Sequence, residues 1–288
     1  MTTIISNLAQ VDPHAELGEN VEIGPFCLVG PHVKIGNGTR LDSHVTLIGH
    51  TTIGERNRFF QNTVIGAKPQ DFSYQEGETC VEIGDDNLFR EGVTVNRGAD
   101  KEDGCTRIGN QNMLMSNSHV AHNCHVFNKV ILVNGVLLGG HVHVQDGAII
   151  SGNSAIHHFT TVGTLSFVGG MSKVVQDIPP FMMADGVDQM RIKTINAIGL
   201  RRNGMSEDTI RAIKLAHKVL FRKNTPLKKA RATIIDQLGG VIPLELSTLF
   251  SFLEDQSQGK VGRAREVVRE PDGQVQHDPP QGEVRRAA

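Results

Sequence analysis

Ile23-Gly24-Pro25-Phe26-Cys27-Leu28-Val29-Gly30-Pro31-His32-Val33-Lys34-Ile35-Gly36 sets an aliphatic residue at 23, 29 and 35 and a glycine after each. The same six-residue beat runs outward in both directions. It takes in Leu17, Leu41, Leu47, Ile53, Phe59 and Ile65, resumes in phase at Ile83, Phe89 and Val95, and continues from Ile108 to Val174. Two positions before these residues stand small or β-branched ones such as Val21, Val33, Val45, Val130 and Ala148. A fixed period sustained this long is the mark of a solenoid. Six residues are too few for a helical repeat and suit a short strand and a turn. The aliphatic side chain points inward, and glycine relieves the backbone where φ > 0 is needed. Three such sides close an 18-residue triangular coil. Residues 18 apart then stack in one column at the strand spacing of about 4.8 Å.

The totals agree. Of 288 residues, 31 are Gly, one is Tyr and none is Trp, a composition for tight turns rather than an aromatic-rich sandwich. A net charge of -2 argues against nucleic acid or an anionic membrane as a general partner, so phosphate binding would need a local cluster. Cys27, Cys80, Cys105 and Cys124 show no framework spacing, which suggests a reducing compartment. No basic leader or apolar run of about 20 residues appears. The expected location is cytoplasmic.

The beat breaks near 67–80 and 97–106, and insertions in a repeat protein gather on its binding face. It ends after Asp177-Ile178-Pro179-Pro180. Beyond it Ser206 reads as an N-cap, Thr225-Pro226 as cap and first residue of a second helix running to about Leu238, and Pro243 as the opening of a third ending near Leu253. The expectation is mainly β: a coil over 1–186, a small α-helical domain over 187–255, and a disordered tail over 256–288 that is rich in Gln, Pro, Gly and charge.

Ser118-His119-Val120-Ala121-His122-Asn123-Cys124-His125 carries the chemistry. Its three histidines are not equivalent under the beat. Adding 18 to 122 reaches Gly140, and adding 18 again reaches His158, with His141 and His157 one residue off that column. A base thus lies one strand spacing from a glycine N–H. Acyl transfer to a hydroxyl needs that pairing: a base for the nucleophile and a donor for the tetrahedral oxyanion. His119 shares the strand with His122, while His125 and His143 are expected to be solvated or structural. No phosphate loop and no nucleophile elbow is present, which favours direct attack over a covalent acyl-enzyme. The basic residues Arg191, Lys193, Arg201 and Arg202 could receive phosphates.

The chain resembles the UDP-N-acetylglucosamine O-acyltransferases that begin lipid A synthesis. The resemblance covers about residues 5–255 and rests on Pro69-Gln70-Asp71, Arg90-Glu91, His119-Val120-Ala121-His122-Asn123-Cys124, Gly139-Gly140-His141-Val142, Gln176-Asp177-Ile178-Pro179-Pro180 and Gly199-Leu200-Arg201-Arg202. It implies a left-handed parallel β-helix assembled as a homotrimer with active sites between subunits. It implies transfer of an (R)-3-hydroxyacyl chain from acyl carrier protein to the 3-OH of UDP-N-acetylglucosamine. No separate cofactor or metal is implied, since the phosphopantetheine arm enters with the donor. It also implies His122 as general base, Gly140 as oxyanion donor, His119, His141 and His157 as substrate contacts, Gln70 and Asp71 on the sugar side, Asn196 and Arg202 on the nucleotide side, and Gly170 as a position that helps set acyl length. Four residues depart from the family pattern: Ser73 for Lys, Asn123 for Asp, Ile198 for an acid, and His158, kept here as a substrate contact, for Gln. The competing readings are transfer to the amine of a UDP-amino-sugar, a zinc carbonic-anhydrase-like trimer, and a purely structural solenoid.

Overall fold

The computed structural model describes residues 2–187 and 189–268. Its first part is a three-sided coil with one parallel sheet per side, and among the described residues these sheets hold 11, 9 and 8 strands. The first runs from Ile4–Ile5 to Met182–Asp185 and gains one antiparallel strand, Arg191–Ile195. The second runs from Gln10–Val11 to Lys173–Val174, and the third from Glu16–Leu17 to Thr161–Val162.

Registers follow the 18-residue period, as in His119 opposite Leu137 and Leu137 opposite Ala155. The beat residues fill the interior: Leu47, Phe59, Ile65, Phe89, Val120, Leu132 and Val168 are fully buried. Removing each such side chain from water contributes about 1.5–3 kcal/mol. Phe59 and Phe89, on successive coils, stack with centroids 4.5 Å apart. A second ladder runs down one corner. Asn57 Oδ1 accepts from Asn87 N and Nδ2, and Asn87 Oδ1 accepts from Asn112 N, at 2.9–3.0 Å.

Gly66, at φ 83°, fits the expectation, but other glycines after the beat residues serve a different purpose. Gly24 and Gly36 are not left-handed; the positive φ comes two residues later, at Phe26 (60°) and Gly38 (67°). What excludes a side chain is the next coil, since a Cβ on Gly24 would stand 2.8 Å from the Asp42 carbonyl oxygen.

The expected breaks appear as excursions between strands Val64–Ala67 and Cys80–Ile83, and between Thr94–Asn96 and Cys105–Ile108. The parallel coil ends with Met182–Asp185, but the β structure continues past 186. Arg191–Ile195 folds back on Met182–Asp185, and helices begin only with α1 (Ala197–Arg202), which the sequence reading missed. Ser206 caps α2 (Glu207–His217) by accepting from Thr209 N at 3.1 Å. Pro226 and Pro243 are the N-cap residues of α3 (Leu227–Gln237) and α4 (Leu244–Ser257). Pro226 therefore stands one residue before the expected first position, and α4 runs four residues beyond Leu253.

The expected disorder from 256 is wrong for the described part. Residues 256–257 complete α4, a 3₁₀ turn covers Gly262–Ala264, and α5 (Arg265–Val268) follows. Polar composition misled here because this segment is held by hydrogen bonds to the coil rather than by apolar burial. The remainder of the expected tail, 269–288, lies outside the described residues. Among the described residues no helix is long and apolar enough to cross a membrane.

Candidate active site

His122 sits at the corner where the second sheet turns into the third. Asn123 follows in the left-handed region at φ 58°, a conformation asparagine tolerates. The next coil places His141 N on His122 O at 3.0 Å, and the coil after that places Phe159 N on Gly140 O at 3.0 Å. His122, Gly140 and His158 therefore stack as the 18-residue spacing requires.

The contact between the first two is close. A Cβ added at Gly140 would stand 2.6 Å from Cε1 and 2.7 Å from Nε2 of His122, so only glycine leaves the ring its place. The peptide joining Gly139 and Gly140 is fixed from inside the coil: the Cys124 thiol donates to Gly139 O at 3.0 Å. In a planar trans peptide the Gly140 N–H then points the opposite way, outward. Among the described residues nothing accepts from that N–H.

The tautomer of His122 follows from Asn123. Its Oδ1 accepts from Ala99 N at 2.8 Å and its Nδ2 donates to Lys101 O at 2.7 Å, which fixes the amide's orientation. The same Oδ1 lies 2.9 Å from His122 Nδ1, so Nδ1 carries the proton and Nε2 keeps its lone pair. Burial holds the His122 pKa below the ordinary histidine value. The Asn123 contact and Asp71 oppose that shift, while His141 and Lys101 reinforce it. The net shift favours the neutral ring.

Both loops contribute. Asp71, from the first, has Oδ2 3.9 Å from His122 Nε2 and 2.9 Å from Lys101 Nζ, on the second. Burial alone would raise the Asp71 pKa, but hydrogen bonds from Ser73 and Lys101 outweigh it and hold the carboxyl well below the usual range. Gln70, His119, His122, Leu137, Gly140 and Ala155 line one groove of about 550 Å³ on the outer face of the second sheet. His119 Nδ1 lies 2.7 Å from Thr94 Oγ1, and Leu137 is half exposed, giving the groove an apolar floor beside His122.

The remaining expected residues are placed differently. His141 packs edge-on against His122 with centroids 5.2 Å apart, its Nδ1 2.9 Å from Glu102 Oε2. Burial first, then Lys101 and Arg265, push its pKa down to about 4. His157 and His158 face the C-terminal segment, where they meet Arg263 and Glu266. Asn196 caps α1 through Gly199 N at 3.1 Å, and Arg202 lies in the last turn of that helix; neither lines the groove of this chain. Gly170 is exposed at the corner between the first and second sheets, with only Gly152 O and Ser151 Cβ within 4 Å of a notional Cβ. Of the basic cluster, Arg191 donates to Gln189, and Lys193 and Arg201 pair with Asp185 and Glu207, whereas Arg202 forms no ion pair among the described residues. His125 stacks on Phe127 and His143 meets Arg265.

Sequence reasoning missed Lys101 and Glu102, since no period runs through a loop. It also missed the pairing of Cys80 with Cys105. The second loop stretches that coil to 25 residues, brings the two into direct register and joins them in a disulfide. These two sulfurs with Glu82 are the one group of ligand-type atoms that converges among the described residues; the disulfide leaves no thiolate there, and no histidine of the column belongs to it.

Known proteins agree with this architecture. A family profile described as UDP N-acetylglucosamine O-acyltransferase, domain 2, matches residues 177–261. The structure of LpxA from Acinetobacter baumannii superposes with a TM-score of 0.83 at 39% identity, covering 88% of this chain and 97% of that one. The coil is thus a left-handed parallel β-helix of the acyltransferase class. The acyl-carrier-protein–UDP-N-acetylglucosamine O-acyltransferase of Myxococcus xanthus is 43% identical over 87% of this chain and 96% of its own length. Its counterpart in Synechocystis is 45% identical over 65% of this chain, and the match there spans 66% of the relative; in Gloeothece citriformis it spans 64%. The chain belongs to the family of acyl-carrier-protein–UDP-N-acetylglucosamine O-acyltransferases.

Proposed function

We propose that this chain moves an (R)-3-hydroxyacyl group from acyl carrier protein to the 3-OH of UDP-N-acetylglucosamine, the first acylation of lipid A synthesis. The relatives' names supply donor and acceptor. The observation that carries the mechanism is Gly140 packed against a neutral His122 whose Nε2 is unprotonated. His122 Nε2 takes the proton of the sugar hydroxyl as its oxygen attacks the thioester carbonyl. The Gly140 N–H donates to the oxygen on which negative charge develops. Collapse of the tetrahedral intermediate expels the phosphopantetheine thiolate, which takes the proton back from His122. Cys124 is no alternative nucleophile, because burial pushes its thiol up to about 12.

The groove past Leu137 and Ala155 offers the acyl chain an apolar path, and the open corner at Gly170 leaves room for a long one. Asp71 and Gln70 are positioned for the sugar. Asn196 and Arg202 belong to the nucleotide side of a cleft completed by a second subunit of a homotrimer, and His157 and His158 are substrate contacts.

The test is an acyl-transfer assay that offers UDP-N-acetylglucosamine and its 3-amino analogue with hydroxyacyl carrier proteins of several lengths. Turnover of the hydroxyl acceptor is expected. Preference for the amine would move the reading to N-acyl transfer, and no turnover with either acceptor would overturn it.

A further inference from the structure

The segment from Gly262 onward lies past the end of the family profile at 261, yet it is bound to the histidine column. Gly262, at φ 72°, rests on the buried carboxylate of Asp177, and a Cβ there would overlap that carboxylate. Asp177 also accepts from Thr161 N and Gln256 Nε2 at 2.8 Å and from Arg263 N at 3.1 Å, so the turn is tied both to the coil and to α4. From this anchor two arginines reach back. Arg263 Nη1 donates to His158 O at 2.9 Å and meets His157 Nδ1.

Arg265 goes deeper, with a side chain only 11% exposed. Its Nη2 donates to His141 O at 2.6 Å and to Phe159 O at 3.2 Å, and its Nη1 lies 2.9 Å from His143 Nε2 and 3.7 Å from Glu102 Oε1. Glu102 holds the ring of His141, and that ring stacks on Phe159 at 4.4 Å on one side while meeting His122 on the other. One guanidinium therefore ties together the backbone carbonyl of His141, the loop carboxylate that orients its ring, and the residue stacked beneath it.

We propose that residues 262–266 form a clasp whose Arg265 is a positioning residue for acyl transfer, holding His141 and Glu102 so that the His122 ring keeps its place against Gly140. Arg265 touches neither substrate nor the reacting atoms. It removes the freedom of the ring against which the base is packed, and misplacement of a base by about 1 Å costs on the order of a hundredfold in rate. The inference rests on the assignment of His122 as the base.

The experiment compares the full-length protein with Arg265→Met, Arg265→Lys and Gly262→Ala. Gly262→Ala dislodges the clasp at its anchor while leaving every histidine contact chemically intact. Single-turnover transfer and KM for the nucleotide sugar are measured beside the ¹⁵N spectrum of the histidine side chains. The expected result is a rate about tenfold to a hundredfold lower for Arg265→Met and Gly262→Ala. KM should stay within about threefold and Arg265→Lys should recover part of the rate, as expected when an interaction is lost only at the transition state. The His141 Nδ1 signal should move in both slow variants. Folded variants with the wild-type rate, a loss confined to KM or to melting temperature, or an unmoved His141 signal would overturn the clasp. Absence of turnover in the wild-type protein would instead remove the proposed function, and the His141 signal would still decide whether the clasp exists.

Discussion

Asn123 explains how a neutral amide can serve beside His122 in its proposed role as the base. Its side chain is held by Ala99 N and Lys101 O, so the oxygen must face His122 Nδ1 and the base nitrogen must be Nε2. A carboxylate at 123 could accept the imidazole proton equally well but could not donate to Lys101 O. It would also stabilise imidazolium, raising the His122 pKa. The acid limb of kcat/KM in the wild-type protein is therefore expected below the ordinary histidine value, because burial favours the neutral ring, and in Asn123→Asp the limb moves to higher pH. A pH–rate profile of the two proteins checks this, and a limb that stays in place contradicts it. Cys124 acts on the other partner through Gly139 O. Cys124→Ser keeps a donor and should keep the rate, whereas Cys124→Ala frees the peptide and should slow transfer about tenfold. The spacing of 18 made the His122–Gly140 pair legible in the sequence. The tautomer was not legible, since it is set by backbone atoms of a loop that has no period.

Among the elements, the strands and corners were legible and the loops were not. A beat residue reports its own burial, because any polar substitute would be stranded in the interior. The asparagine ladder adds a constraint of that kind at one corner. Asn87 bridges Asn57, Asn112 and Gly109 O while fully buried, so Asn87→Ala should destabilise the protein by about 1–3 kcal/mol, measured by chemical denaturation. A stability change within about 0.5 kcal/mol would show that water or relaxation replaces these bonds. The two excursions had only a negative signal, the loss of the beat, which located them without saying what they carry. Asp71 of one meets Lys101 of the other because strands 64–67 and 94–96 pair side by side, while Glu102 of the second reaches His141 on a corner of the coil. The segment after α4 failed as a sequence reading for a related reason. Its order comes from Gly262 on Asp177 and from two arginines on backbone carbonyls, and neither leaves an apolar pattern.

At the scale of the molecule, a coil of stacked corners turns a linear spacing into a site. The third dimension of that site comes from neighbours: the two loops and the segment after α4. Asn196 and Arg202 stand apart from the groove of their own chain, which is the arrangement expected if the nucleotide side is completed between subunits. Light scattering of the purified protein should accordingly give three times the 31.4 kDa chain mass, and a monomer mass under assay conditions would contradict the shared cleft. The central claim is that one histidine, held neutral against one glycine, performs the proton transfer. The most direct measurement is single-turnover acyl transfer by His122→Ala beside the wild-type protein, with thermal melting as the control for folding. The account predicts a rate lower by about 10²- to 10⁴-fold at unchanged melting temperature; a folded His122→Ala protein that transfers the acyl group at the wild-type rate would contradict it.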